Sequence, residues 1–261
     1  MSTAVATKPA KASPKASTKV KNAVGINGDN QKRHVLLIQD LLNRNLHLLP
    51  NTYPLVEDGL DKNSNTQAIL SFQSIVKKTG AIDGRVDING ATHKLLVKNA
   101  RRRLPSNVKK FIKMAIKGAQ KVSKNYKIPV SIVIAQAGHE TGWNLKPKGN
   151  AFYGEKSHNS TGPSVTFITH EVIKGKKVKI KDKFKKFSNY AAAADGYGKF
   201  LTTNKRYKAC FAFSKKPYKF ADAVAAAPYA TDPDYAKKIK RLLKSFYLTD
   251  YDRIHLLKGN P

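Results

Sequence analysis

Cysteine is nearly absent: Cys210 is the only one in 261 residues, so no intrachain disulfide can brace the fold. Its setting, Tyr207-Lys-Ala-Cys-Phe-Ala-Phe213, is apolar and reads as buried packing rather than as a nucleophile. No stretch approaches the roughly 18 apolar residues that a membrane-crossing helix needs. There is no G-x-S-x-G elbow and no glycine-rich phosphate loop, which argues against serine-hydrolase and nucleotide chemistry. His139-Glu140-Thr-Gly-Trp143 begins like H-E-x-x-H, but Trp143 stands where a second metal-binding histidine is required. The other histidines show no ligand spacing, so neither a catalytic metal nor another cofactor is expected. Negative charge is also scarce: 17 acids stand against 49 Lys and Arg. Between Asp87 and Glu140 there is no acid, and after residue 100 the only glutamates are Glu140, Glu155 and Glu171. Any reaction that needs glutamates in the second half must draw on those three.

The resulting net charge of +32 costs stability through self-repulsion, and its usual meaning is a polyanionic partner. The cations are spread along the whole chain, so charge alone does not choose between nucleic acid, anionic lipid and cell-wall polymers. An apolar content of 41% is enough for a buried core. The start, Met1-Ser-Thr-Ala-Val-Ala-Thr-Lys8, carries no apolar stretch of the secretory type. Cytoplasmic synthesis without a signal peptide is the expectation, with a monomer as the simplest state. A target outside the membrane would then require delivery by a phage lysis system or a contractile secretion device.

Residues 1–22 are almost entirely Ala, Lys, Pro, Ser, Thr and Val, a composition expected to form a disordered basic tail. Residues 23–100 read as a small helical domain. Val35 to Leu42 and Asn65 to Gln73 each have apolar residues at helical spacing. Asp58-Gly59 and Asp83-Gly84 read as turns, and Thr66 and Thr92 lie near the starts of the helices that follow. Residues 101–261 form the larger domain. Ser106 is a plausible N-cap for a helix over Val108 to Ser123. Val165 to Thr169, Gly175 and Val178 to Ile180 suggest a two-stranded ribbon. Helices resume near Ala191–Thr202, Phe220–Ala226 and Asp234–Phe246. The fold class is therefore α+β, mostly helical, with one β-hairpin.

Glu140 is the most informative residue. Pro129 suits a first helical position, and Val130, Val133, Ile134 and Ala137 mark one apolar stripe. Glu140 projects from that stripe, and Gly142 stops the helix. A carboxylate there is opposed by desolvation and by the negative pole of the helix, so its pKa should rise. A general acid at neutral pH needs that property.

Four segments then carry a family resemblance. Ala135-Gln-Ala-Gly-His-Glu-Thr-Gly-Trp143 resembles the A-Q-x-x-x-E-[ST]-G-W signature of the peptidoglycan glucosaminidases, glycoside hydrolase family 73. Asn150-Ala-Phe-Tyr-Gly-Glu-Lys156 is similar to that family's N-N-L-F-G-I-K stretch. Thr169-His-Glu171 to Gly175, followed by Phe184-Lys-Lys-Phe187, resembles its hairpin and F-R-x-Y element. Tyr229-Ala-Thr-Asp-Pro-Asp-Tyr-Ala236 resembles its Y-A-T-D-P-x-Y-A element. The resemblance spans roughly residues 107–248. It implies a lysozyme-like fold and endo-β-N-acetylglucosaminidase activity on bacterial peptidoglycan.

Glu140 would be the acid, and Glu171 would hold or deprotonate the attacking water. Glu155 stands where the family has an apolar residue; it reads most simply as a partner for Lys156 or Lys148, though it could replace Glu171. Asn150, Phe152, Tyr153 and Tyr229 match positions expected to contact sugar. For Trp143 and Tyr190, sugar contact and core packing are equally open. The pattern D-G-x6-T-x-A-I-x-x-F-Q from Asp58 to Gln73 resembles a three-helix peptidoglycan-binding domain, without its usual second glycine. The implied partners are peptidoglycan and anionic wall polymers rather than nucleic acid. Two other readings remain: a muramidase or lytic transglycosylase on the same scaffold, and a non-enzymatic polyanion or wall binder.

Overall fold

The computed structural model describes residues 19–77, 79–157, 162–173 and 176–256, with only the backbone described at 169–173, 176–180 and 254–256. The expected basic tail therefore lies almost wholly outside the described residues. The chain divides between Arg101 and Arg102 into two compact units.

In the first unit, a short strand β1 (Ala23–Gly25) precedes helices α1 (Lys32–Arg44) and α2 (Asn63–Val76). Strand β2 (Arg85–Asp87) and helix α3 (Ala91–Asn99) complete it, with β1 and β2 antiparallel and Val24 opposite Val86. Ile38, Leu42, Ile69, Phe72 and Leu96 fill the centre. The two Asp-Gly turns are held by the same device. Buried Gln39 accepts from the Asp58 and Gly59 amides at 3.2 and 3.0 Å and donates to Asp58 Oδ1 at 3.1 Å. Buried Gln73 accepts from the Asp83 and Gly84 amides at 3.1 and 3.0 Å and donates to Asp83 Oδ1 at 2.8 Å. Burying an amide side chain is costly unless its polar atoms are paired, and here turn and glutamine satisfy one another.

The second unit contains α4 (Ser106–Tyr126), α5 (Val130–Thr141), strands β3 (Ser164–Ile173) and β4 (Lys176–Lys185), α6 (Tyr190–Thr203), α7 (Pro217–Ala226) and α8 (Tyr235–Ser245). The expected α+β, mostly helical class is what is found. The ribbon is longer than its sequence pattern suggests, pairing Ser164 with Lys185 through to Ile173 with Lys176. Ser106 is a correction: it is the first helical residue of α4, and Pro105 occupies the cap without a side-chain bond. Pro129 likewise stands at the cap rather than inside α5. Asn189 caps α6, accepting from the Ala192 amide at 3.0 Å.

The single apolar stripe expected on α5 is also corrected. Every residue from Val130 to Gly138 is buried, so the helix runs through the core and is apolar on all sides. Such a helix has no solvent to satisfy its N-terminal amides, and Pro129 offers no capping oxygen. Asp252, in a 3-10 segment spanning Leu248–Leu256, supplies it instead. Its carboxylate accepts from the Ser131 amide at 2.8 Å and the Ser131 hydroxyl at 2.6 Å. Burial, opposed by those hydrogen bonds, pushes the Asp252 pKa up to about 6.

Close helix packing in this unit depends on Gly198. A Cβ there would lie 2.2 Å from the Tyr126 ring, whose hydroxyl reaches across from α4 to Asp195 on α6 at 2.8 Å. Asp252→Ala should leave the α5 amides without their acceptor and cost about 1 kcal/mol. The readout is a lower urea midpoint at unchanged slope; an unchanged midpoint would show that the cap is dispensable.

Candidate active site

Helix α5 emerges from the core at its C-terminus, and the site is built where it does so. Gly142 takes the left-handed conformation (φ 59°, ψ 31°) and ends the helix. The next residue, Trp143, turns back so that its indole lies over Gly138, where any Cβ would stand 2.4 Å from the ring. The indole meets Phe111 and Phe246 edge-on, with centroids 5.3 and 5.1 Å apart. Of the two roles open to Trp143, the structure therefore shows core packing. It anchors the end of the helix that bears Glu140.

Glu140 is accessible to solvent, as a group meeting substrate must be, yet protein surrounds much of its carboxyl. That desolvation pushes its pKa up to about 7. On one side lies the main chain of Gly154 (φ 60°): an alanine Cβ there would stand 3.3 Å from Glu140 Oε2. Among the described residues no hydrogen bond or ion pair reaches the Glu140 carboxyl. None of the described residues stabilises its charged form.

A cluster of tyrosines supports this wall. Tyr229 donates to the Tyr153 carbonyl at 3.0 Å, fixing the chain just before Gly154. Tyr153 stacks on Tyr197 at 4.3 Å, and its hydroxyl shares a 2.9 Å hydrogen bond with that of Tyr190. Tyr197 donates to Gln136 Oε1, and Gln136 Nε2 donates to the Tyr235 hydroxyl at 2.7 Å. Burial raises the pKa of Tyr153, Tyr197, Tyr229 and Tyr235, so they stay neutral at physiological pH.

Several expected sugar contacts are corrected. Phe152, Tyr153 and Tyr190 are only 1, 4 and 6% exposed, and the core covers their faces. Rings so enclosed cannot stack on a sugar; they position the segment that faces Glu140. Asn150 directs its amide to the Phe187 and Ser188 carbonyls at 2.9 and 3.1 Å, so its NH2 group is engaged in folding. Tyr229 is partly exposed and close enough for the Glu140 charge to affect its pKa, so it stands beside that carboxyl as well as in the wall. Glu155 pairs with Lys185 on the ribbon, not with Lys156 or Lys148; Lys156 pairs with Asp182 at 2.9 Å.

The Glu171 side chain lies outside the described residues. Its backbone sits in β3 opposite Val178, in alternating phase with Val165 and Phe167. Cys210 is 1% exposed, in keeping with a packing role. Among the described residues no group of three or more His, Cys, Asp or Glu could hold a metal, and no helix is long and apolar enough to cross a membrane. The sequence reading missed Gln136, Tyr197 and Tyr235. Gln136 was detectable in principle, one helical turn before Glu140 and so on the same face.

The glucosaminidase family, described as mannosyl-glycoprotein endo-beta-N-acetylglucosaminidase, matches residues 116–248. The chain is 34% identical over 149 residues to the peptidoglycan hydrolase FlgJ of Escherichia coli K12, covering 54% of this chain and 47% of that protein. It is 36% identical over 146 residues to the exo-glucosaminidase LytG of Bacillus subtilis, covering 52% and 51%. It thus spans about half the length of the curated relatives it matches. A solved N-acetylmuramoyl-L-alanine amidase structure from Staphylococcus aureus shares the fold, with TM-score 0.50 at 22% identity over 60% of this chain and 46% of that one.

The raised Glu140 pKa has a consequence for stability with a definite sign. The unfolded carboxyl ionises near 4.5 and the folded one near 7. Its contribution is therefore fully present below about pH 4.5 and is lost as pH rises to about 7. Glu140→Gln should match the native protein in stability at pH 4 and exceed it at pH 8, measured by chemical denaturation. Equal stability at both pH values would mean that the carboxyl ionises as it does in water.

Proposed function

The chain belongs to the glucosaminidase family, and from that membership we propose that it is an endo-β-N-acetylglucosaminidase acting on bacterial peptidoglycan. One observation carries the proposal: a carboxyl with no partner among the described residues and a pKa of about 7, set where a buried helix reaches solvent. At neutral pH a large fraction of such groups hold a proton ready for a leaving oxygen. The named activities of the relatives, peptidoglycan hydrolase and exo-glucosaminidase, support the substrate class.

In the proposed reaction Glu140 gives its proton to the oxygen of the β-1,4 bond that follows N-acetylglucosamine. The C1–O bond breaks as positive charge develops on the sugar ring. Water adds to C1, and its proton passes to a second carboxylate, the division of labour usual in glycoside hydrolysis. We assign that second carboxylate to Glu171. The strand phase it shares with Val165 supports the assignment, because Val165 packs against Gly149, near the start of the segment that leads to Gly154. Glu155 is a poorer choice, since its carboxylate is already neutralised by Lys185. The first unit, with its two glutamine-clamped turns, is proposed to hold the wall, and the net charge of +32 favours anionic wall polymers generally.

Glu140→Gln is expected to slow clearing of purified cell walls by roughly 10²–10⁴-fold, the usual size of a general-acid effect, while wall binding persists. Activity of the native protein should fall as pH rises above about 7, where Glu140 loses its proton. Mass spectrometry of the products should show reducing-end N-acetylglucosamine within internal glycan fragments. Anhydro-muramic ends would instead establish a transglycosylase, which needs one acid only, and release of single terminal sugars would establish exo action. Clearing undiminished in Glu140→Gln would remove this residue from the mechanism.

A further inference from the structure

Helix α4 has two faces of opposite character. Val108, Phe111, Ala115, Ala119 and Val122 are buried in the core of the second unit. Opposite them, Lys110, Lys113, Lys117, Lys121 and Lys124 are all exposed. Their spacing of three and four residues places them within roughly an 80° arc, along about 21 Å of helix. None of the five forms an ion pair with a described residue. Asp195 senses the row, since Lys121 helps lower its pKa, but that carboxylate is already held by Tyr126 and Lys199.

Like charges at i,i+4 destabilise a helix, so an unbroken row of them works against the fold it stands on. Some lysines elsewhere in this chain are relieved by acids, as Lys238 is by Asp232 and Lys240 by Asp222. On α4 five such lysines stand in one row with no acid partner among the described residues. Resting on the reading that the protein works at the cell wall, we propose that this row is a docking rail for a linear phosphodiester polymer of the wall. One cation per helical turn gives a pitch of about 5.4 Å, suited to an extended chain that carries one phosphate per repeat. No large apolar side chain on α4 is exposed, so the face lacks the wedge with which amphipathic helices enter lipid. A single row also suits one strand of phosphates better than the two backbones of a nucleic-acid duplex.

The test compares the full-length protein with K113Q/K117Q/K121Q, in which glutamine keeps the helix propensity of lysine. K215Q/K216Q/K219Q, an exposed set with the same charge change, is the control. Binding to poly(glycerol phosphate) is measured against salt, in parallel with anionic vesicles and duplex DNA. The α4 variant should lose roughly tenfold or more in affinity for the polymer, and its log–log salt slope should shrink by about 2, near 0.7 per lost contact. The control should stay within about twofold of the native protein. Equal losses in both variants would mean that the charge acts diffusely, and a larger loss for vesicles or DNA would give the rail another occupant; either overturns the proposal. Cleavage of soluble peptidoglycan fragments free of polymer is followed separately and should match in all three proteins. Failure of the native protein to cut those fragments would count against the enzymatic reading and leave the binding comparison intact.

Discussion

The site depends on holding up the pKa of one carboxyl in a protein crowded with cations. With 49 Lys and Arg against 17 acids, the ordinary fate of a glutamate here is to be captured by a lysine. Glu155 shows that fate on Lys185, as does Asp182 on Lys156 and Asp232 on Lys238. Glu140 escapes it among the described residues, where α5 brings it out beside the Gly154 main chain and within reach of Tyr229 and Tyr235. Lysines close to the site are themselves paired with acids. Lys238 shows this most directly, since both it and Asp232 are close enough to influence His139, the residue beside Glu140.

The tyrosines suit this setting for a specific reason. A wall of leucines would desolvate the carboxyl equally well but could not position the polar chain near Gly154. A wall of asparagines or arginines would hold the chain and also hydrogen-bond the carboxylate, pulling its pKa down. Tyrosine offers a large apolar face with one polar atom, and here the hydroxyls of Tyr153, Tyr190, Tyr197, Tyr229 and Tyr235 are engaged with one another, with Gln136 or with the main chain. The carboxyl is left facing rings and backbone. Gly154 completes the arrangement, since any side chain there would have to adopt φ 60° and crowd Glu140 Oε2.

What the sequence made legible, and what it did not, follows from the range of each interaction. Glu140, the stop at Gly142 and the helices are local features, and periodicity exposes them within a few residues of their ends. The Asp252 cap is illegible in principle, because it joins residues 121 apart and breaks no local rule at either. The same holds for Gln39 and Gln73, each of which looks like an exposed polar residue of an amphipathic helix until the turn it clamps is placed beside it. For Phe152, Tyr153 and Tyr190, residue type was a poor guide, since an aromatic near a sugar site and an aromatic beneath it have the same composition. Trp143 could have been assigned correctly: a tryptophan following a helix-ending glycine is well placed to fold back, and Gly138 five residues earlier leaves room for its ring.

The remaining question is how an excess of 32 positive charges can coexist with an acid whose pKa is raised, when every cation should favour its ionised form. Range resolves the conflict. Exposed lysines such as those along α4 act through water, and salt screens them over about 8 Å at physiological ionic strength. Desolvation acts on Glu140 only through the atoms in contact with it, and no bulk ion can relieve it. A strong surface field suited to anionic polymers can therefore stand in the same unit as a carboxyl that desolvation keeps partly protonated near neutral pH. The requirement is that no single cation comes within contact distance of that acid, a condition the main chain of Gly154 and the ring of Tyr229 help to meet.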